Sequence, residues 1–535
     1  MKRSLHSLTR GLLLVATTSL ALAEAPITIT VKNFRSLTNM VAKVADTASP
    51  GSSYQILAGL QGMLSDATLE AIDTDRPWHA AVWLESLGGT PAMSLFLPTK
   101  NYNALKSSLE YGPLMHGPSG AAAVSENGSY AALYYPGEMA SETASSAHKA
   151  WNPSSLKAPD GVIDLSIQPS DALRQQAVQG LAMVRMMIGG AFSSQSQDAF
   201  PGVDPMVMSQ LLGSYFDVID IGLKGWQKLS IGLDLSGENL AVRQSLTAIN
   251  GSELSKWLQG SDGSLGSVTS FIDETSPAAF AMRWDANPAY MPTLKKFMRL
   301  SMQMQGTAPD SEAVAETEKL LDLMAPMQAA GTLDFANGMG ISGVYQFPGR
   351  DVNEMYGLMR KFIRNSMQGQ VGENMPYKEL SIKEGHHKIG SQSVDRVTMA
   401  FNLDAPMYQM QGQKEVIEGM FPGGKMEFDY TVKDNNLFVA SPDRLEQLLA
   451  TSNPAAKTQL GTLRPTTVLA ARLNMLKLIP QFMKNNPMVP ETTKNQFNNI
   501  DSTGTDIRMT IDLDGSLKGE TLVPLRLIKN VAQSM

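Results

Sequence analysis

The stretch Gly419-Met420-Phe421-Pro422-Gly423-Gly424-Lys425-Met426 carries glycines and a lysine at the spacing of a phosphate-binding loop. Met426 stands where such a loop needs a Ser or Thr for magnesium. The order of elements is also inverted: a helix over Glu415–Met420 precedes the loop and a strand follows, whereas phosphate is held by the amides of a following helix. A helix-to-strand turn is expected. His386-His387 falls in the turn of a hairpin spanning Leu380–Val397, and neighbours on a strand face opposite ways, so the pair does not converge on a metal. His79, His116 and His148 are scattered, and no His-Glu-x-x-His occurs. Ser154-Ser155-Leu156-Lys157 gives a Ser-x-x-Lys without the companion motifs of penicillin-binding enzymes, in a loop that cannot fix the pair. Asp512-Leu513-Asp514-Gly515 lacks a third oxygen ligand in calcium-loop register and reads as a strand end and turn. No catalytic, cofactor-binding or metal-ligating residue is assigned, and a non-enzyme is the expectation.

Methionine is the other chemically notable residue, at 33 of 535. It clusters at Met183, Met186 and Met187, at Met298, Met302 and Met304, and at Met324 and Met327. Thioethers bind copper(I), and flexible methionine surfaces accept varied apolar partners. These clusters share helices with Leu, Ile and Phe at core spacing, so core filling against a sheet is expected, with an apolar groove as the alternative.

Residues 1–23 read as a signal peptide. Lys2, Arg3 and Arg10 are basic, Gly11–Leu20 is apolar, and Ala21-Leu22-Ala23 is a small-residue cleavage site before Glu24. Losing those three positive charges takes the formal charge from −7 to −10, which opposes nucleic acid or an anionic membrane as partner. No later segment is long and apolar enough to span a bilayer. There is no cysteine, which excludes disulfides, thiolate metal sites and a thiol nucleophile. The expectation is an exported chain, periplasmic or extracellular.

The elements that would position any site come in a recurring order. Ile27–Val31 leads into a helix over Ser36–Ala48, and Val162–Ile167 into one opened by Ser170 and Asp171. Ala279–Trp284 leads into Asn287-Pro288, and Val468–Leu473 into a helix opening at Asn474. Each is followed by a predicted hairpin: Trp78–Leu84 with Met93–Leu97, Lys228–Leu235 with Leu240–Thr247, Thr332–Phe335 with Ile341–Phe347, and Ile507–Leu513 with Leu517–Val523. The turns carry Gly88-Gly89, Ser236-Gly237, Asn337-Gly338 and Asp514-Gly515.

One segment repeats in outline. Leu95–Asn101 returns as Tyr345–Asp351: a strand ends at Pro98 or Pro348, and three residues later Asn101 or Asp351 opens a helix. Further hairpins follow, Ala121–Ser125 with Ser129–Tyr135 and Met426–Lys433 with Leu437–Ala440; Ser441-Pro442-Asp443 then opens a helix. An extra strand pair lies around Leu380–Phe401. The expected fold is α+β in two related halves, 24–258 and 259–535, each mostly antiparallel sheet with helices packed on one face.

The strand ending at Pro98 before a Tyr102-containing helix, the run Ser441-Pro442-Asp443-Arg444-Leu445, and Asp73-Thr74-Asp75-Arg76-Pro77 before the first hairpin resemble the uncharacterised duplicated secreted α+β proteins of bacteria, a domain of unknown function. The resemblance implies a duplicated secreted scaffold and no activity, cofactor or catalytic residue. The functional expectation is an exported, non-enzymatic binding or scaffold protein whose partner is an unknown protein or apolar ligand. The alternatives are a carrier of lipid or another apolar ligand in a methionine-lined groove, and a hydrolase without a recognisable motif.

Overall fold

The computed structural model describes residues 27–535 except 84–91, 111, 118–119, 136–150, 152, 154–158, 170, 200–204, 261–263, 286, 305–306, 368–370, 373–374, 406–407, 409–411, 452–459, 485, 487 and 535. The leader segment, the Gly88-Gly89 turn, His148, Ser154–Lys157 and Ser170 therefore lie outside the described residues.

In chain order the elements begin with β1 (Ile27–Val31), α1 (Phe34–Ala48), α2 (Ser52–Met63), α3 (Asp66–Ala71), β2 (Trp78–Trp83), β3 (Ala92–Pro98) and α4 (Tyr102–Leu109). They continue with β4 (Ala123–Asn127), β5 (Tyr130–Tyr135), β6 (Ile163–Ile167), α5 (Asp171–Ala199), α6 (Pro205–Gly225), β7 (Trp226–Ser236), β8 (Asn239–Ala248) and α7 (Glu253–Trp257). Next come β9 (Ala278–Trp284), α8 (Met291–Met304), α9 (Glu312–Met324), β10 (Met327–Asp334), β11 (Gly340–Gln346), α10 (Val352–Met367), β12 (Tyr377–Ile389) and β13 (Gln392–Phe401). The chain ends with α11 (Gln413–Met420), β14 (Lys425–Lys433), β15 (Asn436–Ala440), α12 (Leu445–Ala450), β16 (Thr467–Leu473), α13 (Met475–Lys484), α14 (Glu491–Asn498), β17 (Ile507–Leu513), β18 (Ser516–Pro524) and α15 (Leu525–Ser534).

Helix starts follow the side-chain caps that the sequence offers. Asn33 accepts from Ser36 N at 2.7 Å, and Asn101 accepts from Ala104 N at 3.1 Å. Asn474 accepts from Lys477 N at 3.0 Å. The helices expected from Ser36 and Glu415 begin at Phe34 and Gln413, and two expected caps open no helix. Asn287 Oδ1 binds Ala289 N in a turn, and α8 begins only at Met291. Ser441 does not cap a helix: its hydroxyl accepts from Ile341 N at 3.1 Å, and α12 begins at Leu445.

Contacts group the chain into two units. The first comprises the described residues to Ala199, with Tyr215–Leu258 and Gly515–Gln533; the second comprises Gln259–Asp514 with 200–214 and the last two residues. The C-terminal strand and helix, within Gly515–Gln533, group with the first unit and not with residues 259–514. All registered strand pairs within each unit are antiparallel, as expected.

In the first unit the strand order is β4-β5-β3-β2-β1-β6-β7-β8-β18. One face packs Ile72, Leu97, Leu105, Leu109 and Leu133, all nearly solvent-free, beneath α3 and α4. The other packs Trp83, Phe96, Tyr130 and Trp151. In the second unit the order is β12-β13-β14-β15-β11-β10-β9-β16-β17. The expected extra pair is present as β12 and β13.

Helices on a single face do not suffice for the second unit. Met327, Phe347, Val352, Met355 and Leu437 fill the face under α9 and α10. The opposite face presents Ala279, Ala281, Ala330 and Val344, and is covered by the turn Gly266–Phe271 and by Leu445 and Leu448 of α12. Strands whose alternate residues are apolar on both sides need both faces shielded from water.

Candidate functional site

The motifs singled out in the sequence settle into scaffold. The phosphate-loop look-alike joins α11 to β14 through a turn at Pro422–Gly424, the helix-to-strand order expected. Asp512 ends β17 and accepts from Thr467 Oγ1 at 2.6 Å and Arg464 Nη1 at 2.9 Å. The Ser154–Lys157 pair lies outside the described residues.

His386 and His387 do not sit in a turn. They lie within β12, before the turn at Gly390, at a bulge where Gly385 takes a φ of 58° and the register with β13 shifts between Lys383 and His387. Their rings stand 5.4 Å apart and perpendicular. His387 Nε2 lies 3.7 Å from Asp429 Oδ2, a fully buried carboxylate. Arg396 donates to both oxygens of that carboxylate, at 2.7 and 2.9 Å. With both oxygens held, Asp429 is an ion-pair brace between β13 and β14 and is poorly placed to orient His387 as a base.

The neighbouring residue on β13 faces the other way and ties the sheet to α10. Asp395 accepts from Tyr356 at 2.6 Å, from Arg360 at 3.2 Å and from Gly385 N at 2.8 Å. Burial, reinforced by the bond to Asp395, pushes the Tyr356 phenol far above its ordinary range, so it stays a donor.

In the first unit burial and charge pick out a group that carries no sequence motif. Strand registry aligns Asp164 on β6, Thr30 on β1, His79 on β2 and Phe96 on β3 in one row across the sheet. Thr30 Oγ1 lies 3.1 Å from His79 Nδ1, and Tyr130 OH lies 3.5 Å from Nε2. His79 is 3 % exposed, and burial, with Arg76 nearby, lowers its pKa to about 4. It is a neutral imidazole at pH 7. A hydroxyl beside an imidazole is half of a nucleophilic site, yet both side chains are buried, the His79 ring against those of Tyr130 and Trp151.

The remaining feature is a surface. On α5 the inward side is marked by Ala177 and Leu181, at 6 % and 5 % exposure. Met183, Met186 and Met187 lie about half a turn away from them and are 58, 69 and 72 % exposed. This reverses the core-filling expectation for that cluster. Met302 and Met327 are buried, and Met298, Met304 and Met324 are half-buried, as core filling requires. Beside this face, Arg185 pairs with Asp217 of α6 at 3.0 Å, and Tyr215 and Ile219 of α6 are exposed. At the start of α5 a cleft of about 410 Å³ is lined by Asp171, Arg174, Gln175, Val178, Gln179 and Lys224. Among the described residues, no group of His, Cys, Asp and Glu is arranged to hold a metal, and no helix is long and apolar enough to cross a membrane. The chain matches no known protein family, no curated protein and no solved structure.

Proposed function

We propose that this chain is an exported, non-enzymatic binding or scaffold protein, with the methionine face of α5 as its contact surface. The observation that carries the reading is the outward presentation of Met183, Met186 and Met187 on a helix whose buried described residues, Ala177 and Leu181, lie on the opposite side. Three flexible, polarisable side chains at helical spacing form an apolar patch that adapts to varied partners. A hydrolase would need an accessible nucleophile and base, and the Thr30–His79 pair is enclosed.

A photo-crosslinking residue placed at Met187 tests this directly. Discrete adducts from position 187, absent from the exposed control position Glu110, are the expected result. Identical adducts from both positions, or none from 187, would overturn the reading. Export is tested separately, by sequencing the N-terminus of the mature product, which should begin at Glu24.

We also infer that the two units derive from one duplicated ancestor. The support is a shared plan. In each, a starting strand (β1 or β9) is flanked by the first strand of the next hairpin (β2 or β10) and by the strand after the last hairpin of the set (β6 after β4–β5, β16 after β14–β15). The second strand of the first hairpin then pairs with the last strand of that last hairpin, β3 with β5 and β11 with β15, the pair β12–β13 being additional in the second unit.

A further inference from the structure

The row through His79 has a physical consequence beyond packing. The imidazole touches two hydroxyls, those of Thr30 and Tyr130, and two aromatic rings, Tyr130 at 5.7 Å and Trp151 at 6.5 Å between centroids. Trp151 is set against the sheet by the same cluster: its ring lies 4.6 Å from Phe96 and 6.3 Å from Trp83, and its carbonyl accepts from Asn127 Nδ2 at 3.1 Å.

The charges around the row do not suit a cation at position 79. Arg76 stacks over the Tyr130 ring at 5.1 Å and donates to Ser129 Oγ at 2.7 Å, so a fixed positive charge already stands on the Tyr130 side. On the β3 and β5 side the row continues with Phe96 and Ala132, which carry no charge. Asp164 is the carboxylate nearest His79 along the row, with Thr30 standing between them; beyond Asp164 the row runs through Gly232 to Arg243 and Glu520. Burial raises the pKa of Asp164, opposed by Lys228 and aided by Asp160, so acid neutralises this anion early.

We propose that His79 is an acid-operated latch: the neutral imidazole seats Trp151 on the sheet of the first unit, and protonation unseats it. A protonated ring needs a counter-charge or water, and among the described residues no carboxylate pairs with the His79 ring. The sign follows. A histidine whose folded pKa is depressed holds its full native contribution above the unfolded value of about 6.5 and loses it progressively as pH falls toward about 4.

The test compares the mature protein with His79→Gln, in which a neutral amide can still bond to Thr30 but takes up no proton in this range. The emission of Trp151, isolated by subtracting the spectrum of Trp151→Phe, should shift to the red in the wild type with a midpoint between pH 4 and 6.5. The same shift should be absent from His79→Gln. In parallel, histidine resonances of the wild type should include one imidazole titrating with the Trp151 transition; this measurement stands even if His79→Gln fails to fold. An unchanged Trp151 transition in His79→Gln, or a His79 imidazole titrating at its ordinary value with Trp151 still seated, would overturn the proposal.

Discussion

Gly340→Ala should destabilise the second unit, because of a side chain 104 positions away in sequence rather than backbone strain. Gly340 opens β11, and its φ is not in the left-handed region, so alanine is conformationally acceptable there. A Cβ at this position would lie 2.5 Å from Cζ and Nη2 of Arg444 and 2.7 Å from its Nε. An arginine head can usually swing aside. Here it is held by both oxygens of Asp334, one of them at 2.8 Å, with side-chain exposures of 23 % and 10 % for the two partners. Displacing the guanidinium gives up two charge-assisted bonds worth about 1.5–3 kcal/mol each when fully formed. Partial rehydration of Arg444 returns some of this, and alanine recovers about 0.5–1 kcal/mol of chain entropy. The expected net cost is about 2 kcal/mol, below the roughly 3–5 kcal/mol of breaking a fully buried pair. Urea unfolding followed by far-UV circular dichroism measures it. The decisive comparison repeats Gly340→Ala in an Asp334→Asn/Arg444→Met background, where the methyl should be neutral or slightly stabilising. A cost below about 0.5 kcal/mol in the wild type, or an equal cost in both backgrounds, refutes the steric argument.

Asn101→Ala should cost about 1 kcal/mol through loss of the cap on α4, and Asn101→Asp should restore most of it; thermal unfolding of the two variants separates capping from packing. Tyr356→Phe should cost about 1–2 kcal/mol, because Asp395 loses a 2.6 Å donor while keeping Arg360 and Gly385 N. In an ultraviolet titration, Tyr356 and Tyr430, both pushed far up by burial, should resist ionisation until the fold is lost, and Tyr356→Phe should lower that class by one. Replacing Met183, Met186 and Met187 together by Ser should change stability by no more than about 0.5 kcal/mol per site, since the side chains are exposed. A markedly larger loss in urea unfolding would show that they are core after all.

Much of the scaffold was legible because its signals are local. Alternation in Ile27–Val31 marked a strand to the residue, and the Pro98–Asn101 spacing marked both the end of β3 and the start of α4. Apolar spacing after that cap placed Leu105 and Leu109 in the core, at 0 % and 1 % exposure. The errors arose where distant partners decide. Ser441 has the chemistry of a cap, but the amide of Ile341, one hundred residues earlier, takes its hydroxyl. His386-His387 resembles a turn because Gly385 precedes it, yet the glycine serves a bulge. Met183, Met186 and Met187 have core-like spacing, and only the seating of Ala177 and Leu181 decides which side of α5 meets water. The His79 row is invisible in sequence, since Thr30 lies 49 residues and Tyr130 51 residues away, and only strand registry brings them together.

The pairing of β8 with β18 sets an order of events for a chain made from one end. Arg243 and Glu520 face each other across that pair at 2.8 Å, although 277 residues separate them. Were the intervening chain flexible, joining them would cost about 5 kcal/mol of loop-closure entropy. The first unit thus contains β1 and is completed by β18, on the far side of the second unit in sequence. Until β18 arrives, β8 is an open edge able to pair with another chain. A nascent chain, or one being threaded across a membrane from its N-terminus, carries that unfinished edge throughout synthesis of the second unit. A chain that stopped before Ser516 would then leave its damage in the unit whose other strands were made first.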